Sequence, residues 1–157
     1  MPIYCEPHSD EKILSEIEGD EKVLFVGCGS CANISYNLYN GGEKPAYNLR
    51  KKPLSILEEI SRLESVLTER ESESESMVIN GLCVNSPGRT QKIRRMAKNC
   101  DEIIVLSCKA GLGTVESALT DKKITNGMRI RGFKSLTLKR KGTKIYIEQQ
   151  NEKDGSD

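Results

Sequence analysis

The sequence predicts an α/β fold: a Rossmann-like three-layer arrangement with a parallel sheet at its core and a C-terminal β-hairpin. Three observations carry this reading. Short apolar runs alternate three times with stretches of helical periodicity, the pattern of right-handed β-α-β crossovers. The run "KVLFVG" is apolar without interruption, as a strand buried on both faces requires. The 157 residues are one domain's worth of chain, enough to bury a core without staples. One domain over 1–150 is expected, with a polar tail at 151–157 expected to be disordered.

Along the chain, Ser9 or Asp10 caps a short helix, "EKILSEIEG", with Ile13, Leu14 and Ile17 on one face and Gly19 as its stop. The first strand follows at 22–27. "CANISYNLYNGGEK" reads as a loop or short helix ended by Gly41 and Gly42. Pro53 opens a long amphipathic helix with Leu54, Leu57, Ile60, Leu63 and Leu67 in phase. "ERESESES", at 69–76, is charged, repetitive and free of apolar residues, and reads as a solvated loop. "MVINGLCV" is the second strand, "NSPGR" a turn and "TQKIRRMAKNC" a helix. "DEIIVLSC" is the third strand and runs into "KAGLGTVESAL", a Gly-rich turn feeding a helix. Two or three strands fill 128–149, with a turn at Lys141-Gly142.

Composition narrows the class. Apolar residues make up 36% of the chain and charged residues 30%, a balance that implies solvated segments beside the core. No apolar stretch approaches the roughly 20 residues that span a bilayer. The first residues lack a basic flank and apolar core of a secretory signal, so a cytoplasmic location is expected. Charge is uneven. Glu58 to Ser76 holds seven glutamates and two arginines, whereas Lys122 to Lys144 holds nine lysines and arginines and no acid. Such asymmetry speaks of partners rather than of fold.

The six cysteines carry the chemistry. In a reducing compartment they favour metal or redox roles over disulfides. Cys28 and Cys31 form a C-x-x-C just past the first strand; Cys83 and Cys108 fall at the ends of the second and third. The carboxyl ends of parallel strands share one edge, where ligands bind. Four thiolates from three loops therefore converge there as candidate ligands of an iron–sulfur cluster or of tetrahedral zinc. Cys100, at a helix end, belongs to the opposite edge. Cys5 lies in a segment expected to be mobile, from which it could reach the site, and both read as structural. Gly27, Gly29, Gly111 and Gly113 are the candidate cofactor-binding glycines, allowing tight turns whose N–H groups face cluster sulfur or an anion. The same glycines admit a dinucleotide reading, G-x-G-x-x-A, but no acid follows about 20 positions later to hold a ribose. The Gly-rich "AGLGTVESAL" lacks the Lys-Ser/Thr ending of a P-loop. With His8 the only histidine, a Cys-His dyad or a serine triad has no footing, and no catalytic residue is assigned.

Taken together, "KILSEIEGDEKVLFVGCGSC", the later "NGGEK", the lone cysteine at the second strand, and "IIVLSCKAGLGTV" before "ITNGMRIRGF" resemble the methylenetetrahydrofolate reductase C-terminal domain family, which includes MetV-like accessory iron–sulfur subunits. The resemblance spans roughly residues 11–133. It implies a Rossmann-like domain that carries an iron–sulfur cluster, or zinc, and docks on a flavin-containing catalytic subunit. Cys28, Cys31, Cys83 and Cys108 match family cysteines. The chain departs from the family where a third cysteine commonly follows C-x-x-C, since Ser35 and Tyr36 stand there, and where a Cys-rich tail is replaced by the basic strands.

The leading expectation is an accessory electron-transfer subunit with a 4Fe–4S cluster, itself non-catalytic and partnered by a flavoprotein reductase or a ferredoxin. The partner implied by the resemblance is a flavin-dependent methylenetetrahydrofolate, or related C1-pterin, reductase. The basic 122–144 segment would be the docking face. The alternatives are a zinc-stabilised binding module and a nucleotide-binding Rossmann domain. Nucleic acid is disfavoured because only Phe133 and Tyr146 lie near the basic run, too few to stack bases.

Overall fold

The computed structural model describes residues 3–15, 17–18 and 21–149. The tail at 151–157 and the helix stop at Gly19 lie outside the described residues. In chain order the first elements are β1 (Ile3–Pro7), α1 (Asp10–Leu14), β2 (Val23–Cys28), α2 (Cys31–Tyr39) and β3 (Tyr47–Asn48). Then come α3 (Ser55–Glu69), β4 (Ser74–Ile79), α4 (Pro87–Ala97), β5 (Glu102–Leu106) and α5 (Lys109–Ala118). The chain continues as β6 (Lys123–Asn126), β7 (Met128–Phe133), β8 (Leu136–Lys141) and β9 (Lys144–Gln149).

Four parallel strands form the centre in the order β4-β2-β5-β6. Two antiparallel sheets, β1-β7 and β3-β9-β8, complete a mixed α/β architecture. The apolar run of β2 lies between two partners, and Val23, Leu24, Phe25 and Val26 are all fully buried. Burying each such side chain contributes about 1.5–3 kcal/mol, so β2 and β5 anchor the fold. Helix α2 packs on α3, and α4 on α5. The C-terminal hairpin is present: β8 and β9 pair across Gly142, whose φ of +61° suits a residue without Cβ.

Several boundaries differ from those the sequence suggests. Helix α3 starts at Ser55, and Pro53 instead bridges to Tyr47. Its buried face is Ile56, Ile60, Leu63 and Leu67. Leu54 becomes the N-cap, and Ile56 takes the inner place expected of Leu57. The solvated loop expected at 69–76 is shorter, since Ser74, Glu75 and Ser76 already pair with Val23, Leu24 and Phe25. Their polarity suits an edge strand: Ser74 Oγ donates to Glu64 Oε2 at 3.1 Å, and Glu75 meets Lys22 Nζ at 3.1 Å. Backbone pairing with the rigid β2 prevails over low strand propensity.

Two further strands escape the sequence patterns. β6 extends the parallel sheet, and β1 makes an ordered antiparallel pair with β7, broken by a bulge between Tyr4 and Cys5. The segment expected to be mobile is therefore part of the sheet framework. Among the described residues, no helix is long and apolar enough to cross a membrane.

Candidate functional site

The parallel register fixes where the cysteines stand. Cys28 is the last residue of β2 and pairs with Ile79, the last of β4; Gly27 pairs with Leu106, the last of β5. Cys31 opens α2, and Cys108 is the N-cap of α5, two residues past β5. Cys83 lies four residues past β4, in a turn, rather than at the strand end itself. All four stand at the carboxyl edge of one sheet. Cys28 and Cys108 are buried, Cys31 is half-buried and Cys83 exposed. Cys100 lies at the opposite edge, where Lys122 Nζ donates to its carbonyl at 2.9 Å and Asp101 N–H donates to Lys22 O at 2.8 Å.

The thiols near this edge act on one another. Burial raises the Cys31 pKa, an Ile3 backbone hydrogen bond opposes the rise, and the charges of Cys28, Cys108 and Cys83 add to it. Cys5 is pushed up to about 12, by burial first and then by Cys108, Cys31 and Cys28. A thiol so placed stays protonated at neutral pH unless a cation compensates its charge. All six cysteines are free.

The loops that carry these residues are tied together. Ser30 Oγ accepts from Gly81 N–H at 2.9 Å, joining the C-x-x-C loop to the turn that bears Cys83. The Arg89 guanidinium donates to the carbonyls of Asn80 (3.0 Å), Val84 (2.9 Å) and Gly81. Tyr47 OH donates to Gly29 O at 2.8 Å, so β3 holds the loop from the other side. Neither Ser30 nor Cys108 caps its helix through the side chain. The first N–H groups of α2 and α5 thus remain donors at this edge.

The glycines divide. Gly29 is where the β4–α4 turn approaches most closely: a Cβ there would collide with Asn80 Oδ1. Its N–H is not free for a ligand, because it donates to Ile79 O at 3.0 Å. Gly27 is inside β2, against Ile56 of α3. Gly111 and Gly113 lie within α5, whose first turn begins at Lys109, rather than in a turn before it. Gly111 packs so closely that a Cβ would sit 2.5 Å from Ser107 Oγ.

Four of the nine cations of the basic 122–144 segment face a carboxylate of the chain, and four more bond to carbonyls or lie over rings. Lys122 donates to Cys100 O; Lys123 faces Glu102; Arg129 and Arg131 share Glu6; Lys139 faces Glu148. Arg140 donates to Gly142 O, and Lys134 and Lys141 lie over Tyr4 and Tyr146 at 4.4 and 5.5 Å. Arg50, Lys51, Lys52 and Lys92 have no hydrogen-bonded or ion-paired acid among the described residues either. With Arg89 they line an open groove of about 790 Å³ beside Ile79 and Asn80, at the carboxyl end of edge strand β4.

Whether these residues suit a metal or cluster is a question of donor set and placement. The donors are thiols alone, mutually coupled and supplied from separate elements, which is the chemistry of an all-thiolate iron–sulfur or zinc site. As the side chains stand, no three cysteine, histidine or carboxylate residues among those described are arranged to hold a metal ion. No family model matches the chain, nor does any curated protein or solved structure.

Proposed function

We propose that the protein is an accessory electron-transfer subunit whose carboxyl-edge thiols hold an iron–sulfur cluster. We read the parallel sheet with its flanking helix pairs as Rossmann-like and three-layered. The observation that carries the reading is the gathering of Cys28, Cys31 and Cys108, buried or half-buried and coupled, at the edge where an open α/β sheet binds its ligand. A fourth thiolate comes from Cys5 or Cys83. Such a cluster, when bound, relays single electrons, and the chain's part is to bury it and offer N–H donors from the starts of α2 and α5. The partner is a flavoprotein, by resemblance a methylenetetrahydrofolate or related C1-pterin reductase, docking over the loop at Ser30 and the start of α5. The dinucleotide alternative has less support, since Gly29 N–H is already bonded and Gly27 is a ladder residue.

Anaerobic reconstitution with iron and sulfide tests this. The wild-type chain is expected to turn brown and retain iron and sulfide in equal amounts. Cys108→Ser should lose most of both, while Cys100→Ser keeps them. A colourless chain that takes up zinc alone establishes the zinc-stabilised module instead. Equal metal in both variants refutes the site.

A further inference from the structure

We infer that Cys5 is the fourth ligand of the thiol site, joining Cys28, Cys31 and Cys108 and leaving Cys83 at the solvent rim. This rests on the reading of the edge as a thiol-bound metal centre.

Chain register carries Cys5 there. β6 runs parallel to β5, with Val105 opposite Asn126, and Gly127 N–H donates to Val105 O at 2.8 Å. β7 therefore starts at the carboxyl edge, and β1 returns along it with Pro7 opposite Met128 and Cys5 opposite Ile130. This sets Cys5 a short step above the ends of β5 and β6. The register slips here by one residue of β7, Arg131, which lies between the partners of Tyr4 and Cys5.

Hydrogen bonds then fix β1 against the C-x-x-C helix. Cys5 N–H donates to Ser35 Oγ at 2.9 Å, and that hydroxyl donates to Cys31 O at 2.8 Å, one turn earlier on α2. Cys5 is fully buried, in the same apolar cluster as Cys28 and Cys108. Cys83 is exposed, in the turn four residues past β4. The four inner cysteines come from β1, β2 and the starts of α2 and α5. On binding, each thiol would give its proton to solvent and its sulfur pair to the metal, a divalent ion offsetting two of the four thiolate charges.

Cobalt(II) titration of the metal-free chain under anaerobic conditions tests the assignment, because sulfur-to-cobalt charge-transfer absorption scales with the number of bound thiolates. Wild type should show four. Cys5→Ser should lose about a quarter of the band and bind more than about tenfold more weakly, at least the loss that outer-sphere changes already cause. Cys83→Ser and Cys100→Ser should keep both. Loss in Cys83→Ser, alone or with Cys5→Ser, overturns the choice of Cys5 over Cys83 while the metal reading stands. Wild type that takes up neither cobalt nor, on reconstitution, iron and sulfide overturns that reading and this inference with it; where only the cluster forms, the same variants are ranked by the iron they retain. Should Cys5→Ser fail to fold by circular dichroism, alkylation of wild type decides. Metal should slow labelling of Cys5 more than about tenfold beyond its effect on buried Cys100, again on the scale of ligand-shell effects. Equal slowing of the two refutes the inference.

Discussion

Glu102 opens β5 almost fully buried. Its Oε1 accepts from Thr125 Oγ1 at 3.1 Å, Oε2 accepts no hydrogen bond, and Lys123 Nζ stands 3.6 Å away. Burial raises its pKa, with Thr125 and Lys123 opposing. The folded chain thus keeps a proton that the unfolded chain has lost, across the window between the ordinary carboxylate value and the raised one. Stability falls as pH rises through that window and stays lower above it. Glu102→Gln, which mimics the protonated form, should raise the urea midpoint near pH 7, with the gain vanishing near pH 4 as both states protonate. A gain equal at both pH values would assign it to packing. Residues show unevenly in sequence. The place of Cys28, Cys31 and Cys108 at the carboxyl edge was legible because strand ends locate them. The strand that holds Cys5 was not, because "IYCEP" has no apolar run and becomes a strand only once β7 pairs with it.

Elements were legible where burial dictates pattern, as in β2, α3 and β5, and lost where a partner's backbone dictates it, as in β1, β6 and the first half of β4. The turn at 80–84 belongs to the second kind. It is shaped by Arg89 from α4 and Ser30 from the C-x-x-C loop, with Gly81 at φ +66°. Arg89→Met removes three donors to backbone carbonyls that are partly open to water, a loss of about 1 kcal/mol. Amide exchange at Gly81 and Val84, which are bonded to Ser30 Oγ and to Gly81 O, should speed up about fivefold, while the amides of β2 and β5 hold. Unchanged exchange at Gly81 would mean that Ser30 alone secures the turn. If Cys83 stands outside the ligand set, Arg89→Met should also leave metal content intact.

At the scale of the molecule, the basic 122–144 segment is joined by a second basic region. Of the nine cations of 122–144, eight engage groups of the chain itself, so their outward field is reduced. Arg50, Lys51, Lys52 and Lys92, which have no acidic partner among the described residues, gather instead around the groove at the end of β4, on the cysteine edge. On the proposed electron-transfer reading, a flavoprotein partner would approach that edge, and an acidic rim around its flavin would meet this groove first. Exposed charges are screened beyond about 8 Å at physiological ionic strength, and steering of this kind shows in the association rate more than in the affinity. Stopped-flow association with a candidate reductase should therefore slow steeply as salt rises. At low salt, Lys52→Glu with Lys92→Glu should slow it at least about tenfold, within the range that steering covers. The same change at Lys139 and Lys144 should have a smaller effect, since Lys139 is already opposed by Glu148. The reverse ranking would return the docking role to the C-terminal hairpin, and a rate indifferent to salt would remove electrostatic steering from this protein altogether.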